Sequence, residues 1–165
     1  TEFKQPACAT CGPDYYSATV YRSSDHDPVL LGLSLYKALQ GTAGRDTLTG
    51  TAGDDRITGG DSSDVLTGGA GADVFVYTGT RDAQDRITDF VPGTDRIDLA
   101  ALLASIGRSG ASAIADGVVK LVDTGAGLSL QIDTDGSAGP NTARPLVVLT
   151  GVTAAQIQPA RDLGL

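Results

Sequence analysis

The clearest pattern of apolar and polar positions is a nine-residue repeat over residues 41–76. Four copies follow one another without an insertion: GTAGRDTLT, GTAGDDRIT, GGDSSDVLT and GGAGADVFV. The first position is always Gly, the sixth is always Asp and the eighth is always large and apolar; the fourth is Gly except at Ser62. A fixed period of this kind predicts stacked structural units.

Each nonapeptide predicts a turn followed by a very short strand. Glycine supplies the backbone angles that the six-residue turn needs, and the eighth side chain points into the core. Two nonapeptides complete one coil of a parallel β-roll, so turns stack two repeats apart. Asp46 and Asp64 should then share one edge of the roll, and Asp55 and Asp73 the other.

After the repeats, the alternation becomes that of ordinary strands. Residues 85–99 predict a strand, a turn and a strand that cap the open end of the roll. Residues 99–106 have helical spacing, residues 118–122, 128–132 and 146–149 predict hairpin-like strands, and residues 153–157 a helical turn. The predicted fold class is all-β, with a parallel β-roll of nonapeptide repeats followed by antiparallel strands and one short helix.

The N-terminal part of the chain lacks the repeat. Residues 1–35 end in an apolar run at 29–35, short enough for a buried strand, and residues 36–40 are interpreted as a linker. We therefore divide the chain into segments 1–35, 36–40, 41–99 and 100–165. The sequence shows neither a leader peptide nor an apolar run long enough to cross a bilayer, so no membrane insertion is expected.

The composition points towards divalent cations. Nineteen of the 20 acidic residues are Asp, whose short carboxylate suits turns, and the formal net charge of −8 disfavours binding of nucleic acid by this part of the chain. Cys8 and Cys11 form a single pair that cannot close a four-ligand zinc site with one His. A local disulfide and a free pair both remain open.

The repeated turns predict calcium sites, because nonapeptides of this form bind Ca²⁺ and calcium prefers hard oxygen ligands. The candidate ligands are the carboxylate at position six and the carbonyls at positions one and three. They are Asp46, Asp55, Asp64 and Asp73, with the carbonyls of Gly41, Ala43, Gly50, Ala52, Gly59, Asp61, Gly68 and Ala70. Two to three or more structural ions are expected.

Three further readings stay open. Asp82 or Asp85 could complete a third site or could be solvated turn residues. Residues 133–136, Asp-Thr-Asp-Gly, resemble the start of a calcium loop, but the rest of the twelve-residue loop is missing and a turn is favoured. A disordered Gly/Asp-rich linker would explain the composition but not the fixed phase of the repeat.

The repeat resembles the RTX, or haemolysin-type, calcium-binding region over residues 41–99. Residues 68–99 are similar to the end of the C-terminal domain of serralysin-type secreted metalloproteases, and residues 100–165 resemble C-terminal target regions of type I secretion substrates more loosely. This resemblance implies a secreted, extracellular protein, exported from a Gram-negative bacterium through the type I secretion apparatus with its C-terminal signal retained.

The only His lies in Ser24-Asp25-His26-Asp27-Pro28-Val29. This motif resembles the last motif of the endonuclease/exonuclease/phosphatase superfamily, and with residues 1–4 the end of the ExeM/NucH type of extracellular nuclease. The resemblance implies that His26 is the acid/base residue and that Asp25 helps to hold Mg²⁺ or Mn²⁺.

That resemblance covers only about the first 35 residues. The family's other metal ligands and its phosphate-binding Asn are missing, so this chain alone should not cleave nucleic acid. Nucleic acid is expected as a partner only through a missing upstream domain. We expect the C-terminal part of a secreted metal-dependent nuclease; the alternatives are a polar turn at 24–28 and a stand-alone, non-catalytic calcium-binding matrix or surface protein.

Overall fold

The computed structural model describes residues 36–82 and 84–165. The predictions on residues 1–35 lie outside the described residues, among them the strand at 29–35, the Cys8 and Cys11 pair, and the motif that contains Asp25 and His26.

Short parallel strands build the roll, alternating between two sheets along the chain. One sheet contains β1 (Lys37–Gln40), β3 (Asp55–Thr58), β5 (Val74–Val76) and β7 (Arg96–Asp98), in that order. The other begins with β2 (Thr47–Thr49), β4 (Val65–Thr67) and β6 (Asp85–Ile87). Leu48 pairs with Leu66 and Ile57 with Phe75, two nonapeptides apart. The parallel β-roll is therefore confirmed, with two repeats to a coil.

The roll extends beyond the four repeats at both ends. The linker predicted at residues 36–40 is wrong, since β1 pairs with β3 and Leu39 packs against the core. Leu39 lies one period before Leu48, so its apolar side chain continues the inward row, although Lys37 stands where the motif has Asp.

The predicted strand, turn and strand at 85–99 also differ in topology from a hairpin. β6 pairs with β4 and β7 with β5, so the two strands belong to different sheets and add another coil. Parallel pairing lets Ile87 and Ile97 join the inward row, and both are fully buried.

Antiparallel strands close the C-terminal part. After α1 (Ala100–Ser105) and a 3₁₀ turn (Gly110–Ser112) come β8 (Val119–Thr124), β9 (Gly127–Ile132) and β10 (Arg144–Thr150). β10 pairs with β9 in antiparallel and with β6 in parallel orientation, which joins the two parts in one mixed sheet. A 3₁₀ turn (Ala154–Gln156) and a second short helix, α2 (Pro159–Asp162), follow.

One hydrophobic core runs through the roll and the antiparallel strands. The eighth-position side chains Ile57, Leu66 and Phe75 are buried, whereas Leu48 in the first repeat is only partly buried. The inward row of the roll continues into Leu128 and Leu149 of the antiparallel strands. Among the described residues, no helix is long and apolar enough to cross a membrane.

Candidate metal centre

Two rows of aspartates line the edges of the roll. On one edge, the Asp46 N–H donates to Asp64 Oδ1 at 2.8 Å, and the Asp64 N–H donates to Asp85 Oδ1 at 2.8 Å. Each carboxylate thus binds the backbone of the coil before it. The structure brings together the predicted pair on this edge and adds Asp85 to it.

The other edge has the same arrangement. The Asp55 N–H donates to Asp73 Oδ1 at 2.9 Å, and the Asp73 N–H donates to Asp95 Oδ1 at 3.1 Å. The sequence analysis missed Asp95, which lies outside the nine-residue period. A signal was present, because Asp-Arg-Ile begins at Asp55, at Asp85 and again at Asp95.

The second carboxylate oxygen distinguishes the repeats from one another. The Oδ2 atoms of Asp64, Asp73 and Asp85 are buried and have no hydrogen-bond partner among the described residues. In the first two repeats, by contrast, Oδ2 accepts the backbone N–H of a threonine: Asp46 from Thr42 at 2.6 Å, and Asp55 from Thr51.

The threonine hydroxyls reinforce this difference. Thr42 Oγ1 donates to Asp46 Oδ2 at 2.8 Å, and Thr51 Oγ1 donates to Asp55 Oδ2 at 3.0 Å. The third and fourth turns have glycine at this second position, Gly60 and Gly69, both with a φ of 101°. Threonine rarely adopts such an angle, so the two kinds of turn are built differently.

Glycine at position one allows adjacent turns to approach closely. A Cβ atom on Gly41 would collide with the carbonyl oxygen of Gly59, and one on Gly50 with that of Gly68. The same position on Gly50 lies 2.5 Å from Asp55 Oδ2. Carbonyl and carboxylate oxygens therefore converge beside this glycine, which is the oxygen-rich environment that a hard cation requires.

The remaining predicted carbonyl ligands lie in the same turns. The Ala43 carbonyl accepts a hydrogen bond from Ser62 Oγ at 3.0 Å. Ala52 and Ala70 are exposed, and the Ala70 N–H donates to the Thr51 carbonyl. The Asp61 side chain lies 3.9 Å from Arg81.

In the second repeat, Asp55 both binds the threonine of its own turn and belongs to the row along the edge. After the fourth repeat, Asp82 and Asp85 each take over one of these two contacts. Asp82 Oδ2 accepts the Thr78 N–H at 2.8 Å, as Asp55 does from Thr51, whereas Asp85 extends the row along the edge. Because this turn is longer than those of the repeats, two different residues make the two contacts. The buried oxygen without a hydrogen-bond partner among the described residues is Asp85 Oδ2.

Burial destabilises the ionised form of the carboxylates that have an unpaired oxygen. Desolvation raises the pKa of Asp73 to about 6 and that of Asp85 to about 7. Hydrogen bonds from Thr42, the backbone one first, instead lower the pKa of Asp46. Burial therefore favours a proton or a cation at Asp73 and Asp85, whereas the hydrogen bonds from Thr42 stabilise the ionised form of Asp46.

No cluster of three or more His, Cys, Asp or Glu side chains suited to a metal occurs within residues 36–82 and 84–165. The arrangement in the roll is of another kind, because each turn offers one carboxylate together with backbone carbonyls.

The nonapeptide repeats match a known family model. Residues 40–75 match the family model of the RTX calcium-binding nonapeptide repeat in four copies. No curated protein matches. Among solved structures, this chain is similar to the solution structure of the AlgE6R3 subunit from the Azotobacter vinelandii mannuronan C5-epimerase, with 25% identity, 78% of this chain and 82% of that chain covered, and a TM-score of 0.44. Residues 40–75 are thus RTX calcium-binding nonapeptide repeats.

Proposed function

We propose that residues 41–99 form a calcium-dependent folding module whose ions lie between stacked turns along the two aspartate rows. The observation that carries this proposal is the set of buried Oδ2 atoms of Asp64, Asp73 and Asp85, which have no partner among the described residues. A buried carboxylate oxygen without a partner is costly, and a bound cation removes that cost.

The ligand chemistry suits calcium. Asp64 and Asp73 would supply free carboxylate oxygens, while the carbonyls of Gly59 and Gly68 lie next to the neighbouring turns. Asp46 and Asp55 would serve as ligands after giving up their contacts with Thr42 and Thr51. Bound calcium would supply charge neutralisation and cross-linking of successive coils, and not a chemical step.

Calcium would decide whether this region folds. The roll buries about one large apolar side chain per nine residues, so its core alone is small. At free calcium about a hundredfold above the dissociation constant, each site contributes about 2.7 kcal/mol. Two to three ions would then contribute roughly 5–8 kcal/mol, comparable to the whole stability of a small domain.

This dependence supports a role in export. Extracellular calcium modules have dissociation constants of about 10⁻⁴–10⁻³ M, so the roll would stay unfolded inside a cell and fold outside it. RTX repeats are typical of extracellular proteins. With the loose resemblance of residues 100–165 to type I target regions, this supports a C-terminal secretion module.

The catalytic part of the proposal rests on the motif at residues 24–29. We infer that the complete protein is a secreted nuclease in which His26 acts as acid/base and Asp25 helps to hold Mg²⁺ or Mn²⁺. Support comes from the residues of the motif and from the fit between a secreted nuclease and a calcium-dependent export module.

Circular dichroism during calcium titration tests the folding role. The full chain should gain β structure with added calcium and lose it on exhaustive chelation. Magnesium at the same concentration is the control, since it dehydrates reluctantly and demands stricter geometry. An ordered spectrum that survives complete chelation would show that calcium does not hold the roll together.

Two further experiments test export and catalysis. In a Gram-negative host with a type I channel, removal of residues 100–165 should abolish export; continued export of the shortened chain would contradict the secretion role.

The coding sequence before Thr1 tests the nuclease: an upstream domain with an Asp-x-Asn motif and a Glu metal ligand supports it. A reading frame that starts near Thr1 contradicts it.

A further inference from the structure

A second group of acidic side chains lies outside the roll, in the loop at residues 133–141 between β9 and β10. The Asp133 side chain is only 2% exposed. Its Oδ1 atom is buried and has no hydrogen-bond partner among the described residues, and the same holds for Asp135 Oδ1. Two unpartnered carboxylate oxygens thus lie two residues apart in one loop.

The Oδ2 atom of each carboxylate already accepts a hydrogen bond. Lys120 Nζ donates to Asp133 Oδ2 at 2.9 Å, and the Asn141 N–H donates to Asp135 Oδ2 at 3.1 Å. Arg108 Nη2 reaches the Asp135 carbonyl at 3.2 Å and not its carboxylate. Lys120 therefore neutralises one of the two charges, and the Asp135 carboxylate is left without an ion pair among the described residues.

The loop holds these side chains in place. A Cβ atom on Gly139 would collide with the Asp135 carboxyl group, so the chain passes directly over it. The Gly136 φ of 76° gives the turn that carries the backbone back. A cavity of about 700 Å³ adjoins the loop, with Thr134 and Asn141 among its lining residues.

We propose that the loop at residues 133–141 is a separate divalent-cation site that binds calcium through Asp133 Oδ1 and Asp135 Oδ1. Charge-dense carboxylate oxygens are the donors that calcium prefers, and the orphaned pair is costly without one. Calcium takes about six to eight oxygens, so water supplies most of the remaining ligands. We expect weak binding, with a dissociation constant of about 10⁻⁴–10⁻³ M, as in extracellular calcium modules.

Ion counting on the full chain tests the proposal independently of the roll. Equilibrium dialysis at about 5 mM free calcium, well above the expected dissociation constant, measures calcium bound per chain. Asp135→Asn should bind one ion fewer than the unmodified protein. Asp123→Asn is the matched control, because Asp123 is an exposed carboxylate on the adjacent β8 and lies outside the loop. Circular dichroism verifies that both variants fold.

An unchanged ion count in folded Asp135→Asn overturns the loop site alone, whereas an unmodified chain that binds no calcium would overturn both this site and the calcium role of the roll. If Asp135→Asn fails to fold, the unmodified chain decides. With calcium present, trace Mn²⁺ should broaden the amide resonances of Gly136 and Gly139 as well as those of the roll. Broadening confined to residues 41–99 contradicts the proposal.

Discussion

The first two repeats and the last two share one nine-residue period, yet their turns hold the aspartates in different ways. In the first two, Thr42 and Thr51 donate both an amide and a hydroxyl to the carboxylate. In the last two, Gly60 and Gly69 adopt left-handed backbone angles, and the corresponding oxygens of Asp64 and Asp73 have no partner among the described residues.

From this difference we expect a protein donor and a cation to compete for the same oxygen. A threonine turn satisfies its carboxylate from within, so it should close without an ion and bind calcium weakly. A glycine turn leaves one carboxylate oxygen unpaired and should depend on the ion. We therefore expect the third and fourth turns to set the calcium requirement of the whole roll.

Removing a carboxylate should have the largest effect. Asp64→Ala or Asp73→Ala should raise the calcium midpoint for folding markedly, because a site worth about 2.7 kcal/mol at a hundredfold excess of calcium is lost. Asp46→Ala, whose carboxylate is bound by Thr42, should shift the midpoint much less. Circular dichroism during calcium titration measures all three. Equal shifts would show that the two kinds of turn do not differ in function.

Protonation should partly replace calcium at Asp73 and Asp85. The folded pKa values of about 6 for Asp73 and about 7 for Asp85 lie above the ordinary value of 3.8, so the folded state binds more protons than the unfolded chain. The stability from this proton uptake is complete below pH 4 and is lost as the pH rises through 6 to 7.

In chelator, the chain should therefore be more ordered at pH 4–5 than at pH 8, and calcium should abolish most of the difference. Thermal unfolding followed by circular dichroism across this range measures the effect. Asp46 has a lowered pKa, so Asp46→Asn should leave the profile near its original shape. A calcium-free protein equally stable at pH 5 and pH 8 would refute the prediction.

Exchanging the turn types should produce a smaller change. Thr51→Gly removes the hydroxyl bound to Asp55 Oδ2 and allows the second turn the left-handed angle of Gly69. We expect tighter calcium binding in calorimetric titration, together with lower stability in chelator. Thr51→Ser keeps the hydroxyl and is the control. If Thr51→Gly binds calcium as the parent does, the threonine does not compete with the ion.

The smallest effect is expected at Ser62, the one repeat residue that departs from glycine at position four. Its φ of 85° is costly for a residue with a side chain, by about 1 kcal/mol. Ser62→Gly should raise the melting temperature in saturating calcium by about 2–4 °C. Gly71→Ala, with a φ of 118° at the equivalent position, should lower it. A lower melting temperature for Ser62→Gly would show that its hydrogen bond to Ala43 matters more than strain.

Much of the roll could be predicted because its determinants are local and periodic. Gly, Asp and an apolar residue recur in phase, and that phase predicts the inward row of Ile57, Leu66 and Phe75. The two ends of the roll were harder to predict from the sequence. Leu39 carries the apolar position, but Lys37 stands where the motif has Asp, so the full motif does not mark this strand. The turns before Asp85 and Asp95 are longer than those of the repeats, so counting by nines reaches neither residue.

The sequence by itself determined the parallel β-roll, the stacking of aspartates two repeats apart and the oxygen-rich chemistry suited to calcium, because each follows from residues within one or two periods. Only the tertiary structure decided which carboxylate oxygens remain unpaired, that Asp95 joins one row, and that Asp133 and Asp135 keep orphaned oxygens outside the roll. Those features depend on which backbone amides and hydroxyls reach each carboxylate after the coils stack. Such contacts between residues distant in the sequence produce no periodic pattern from which they could be predicted.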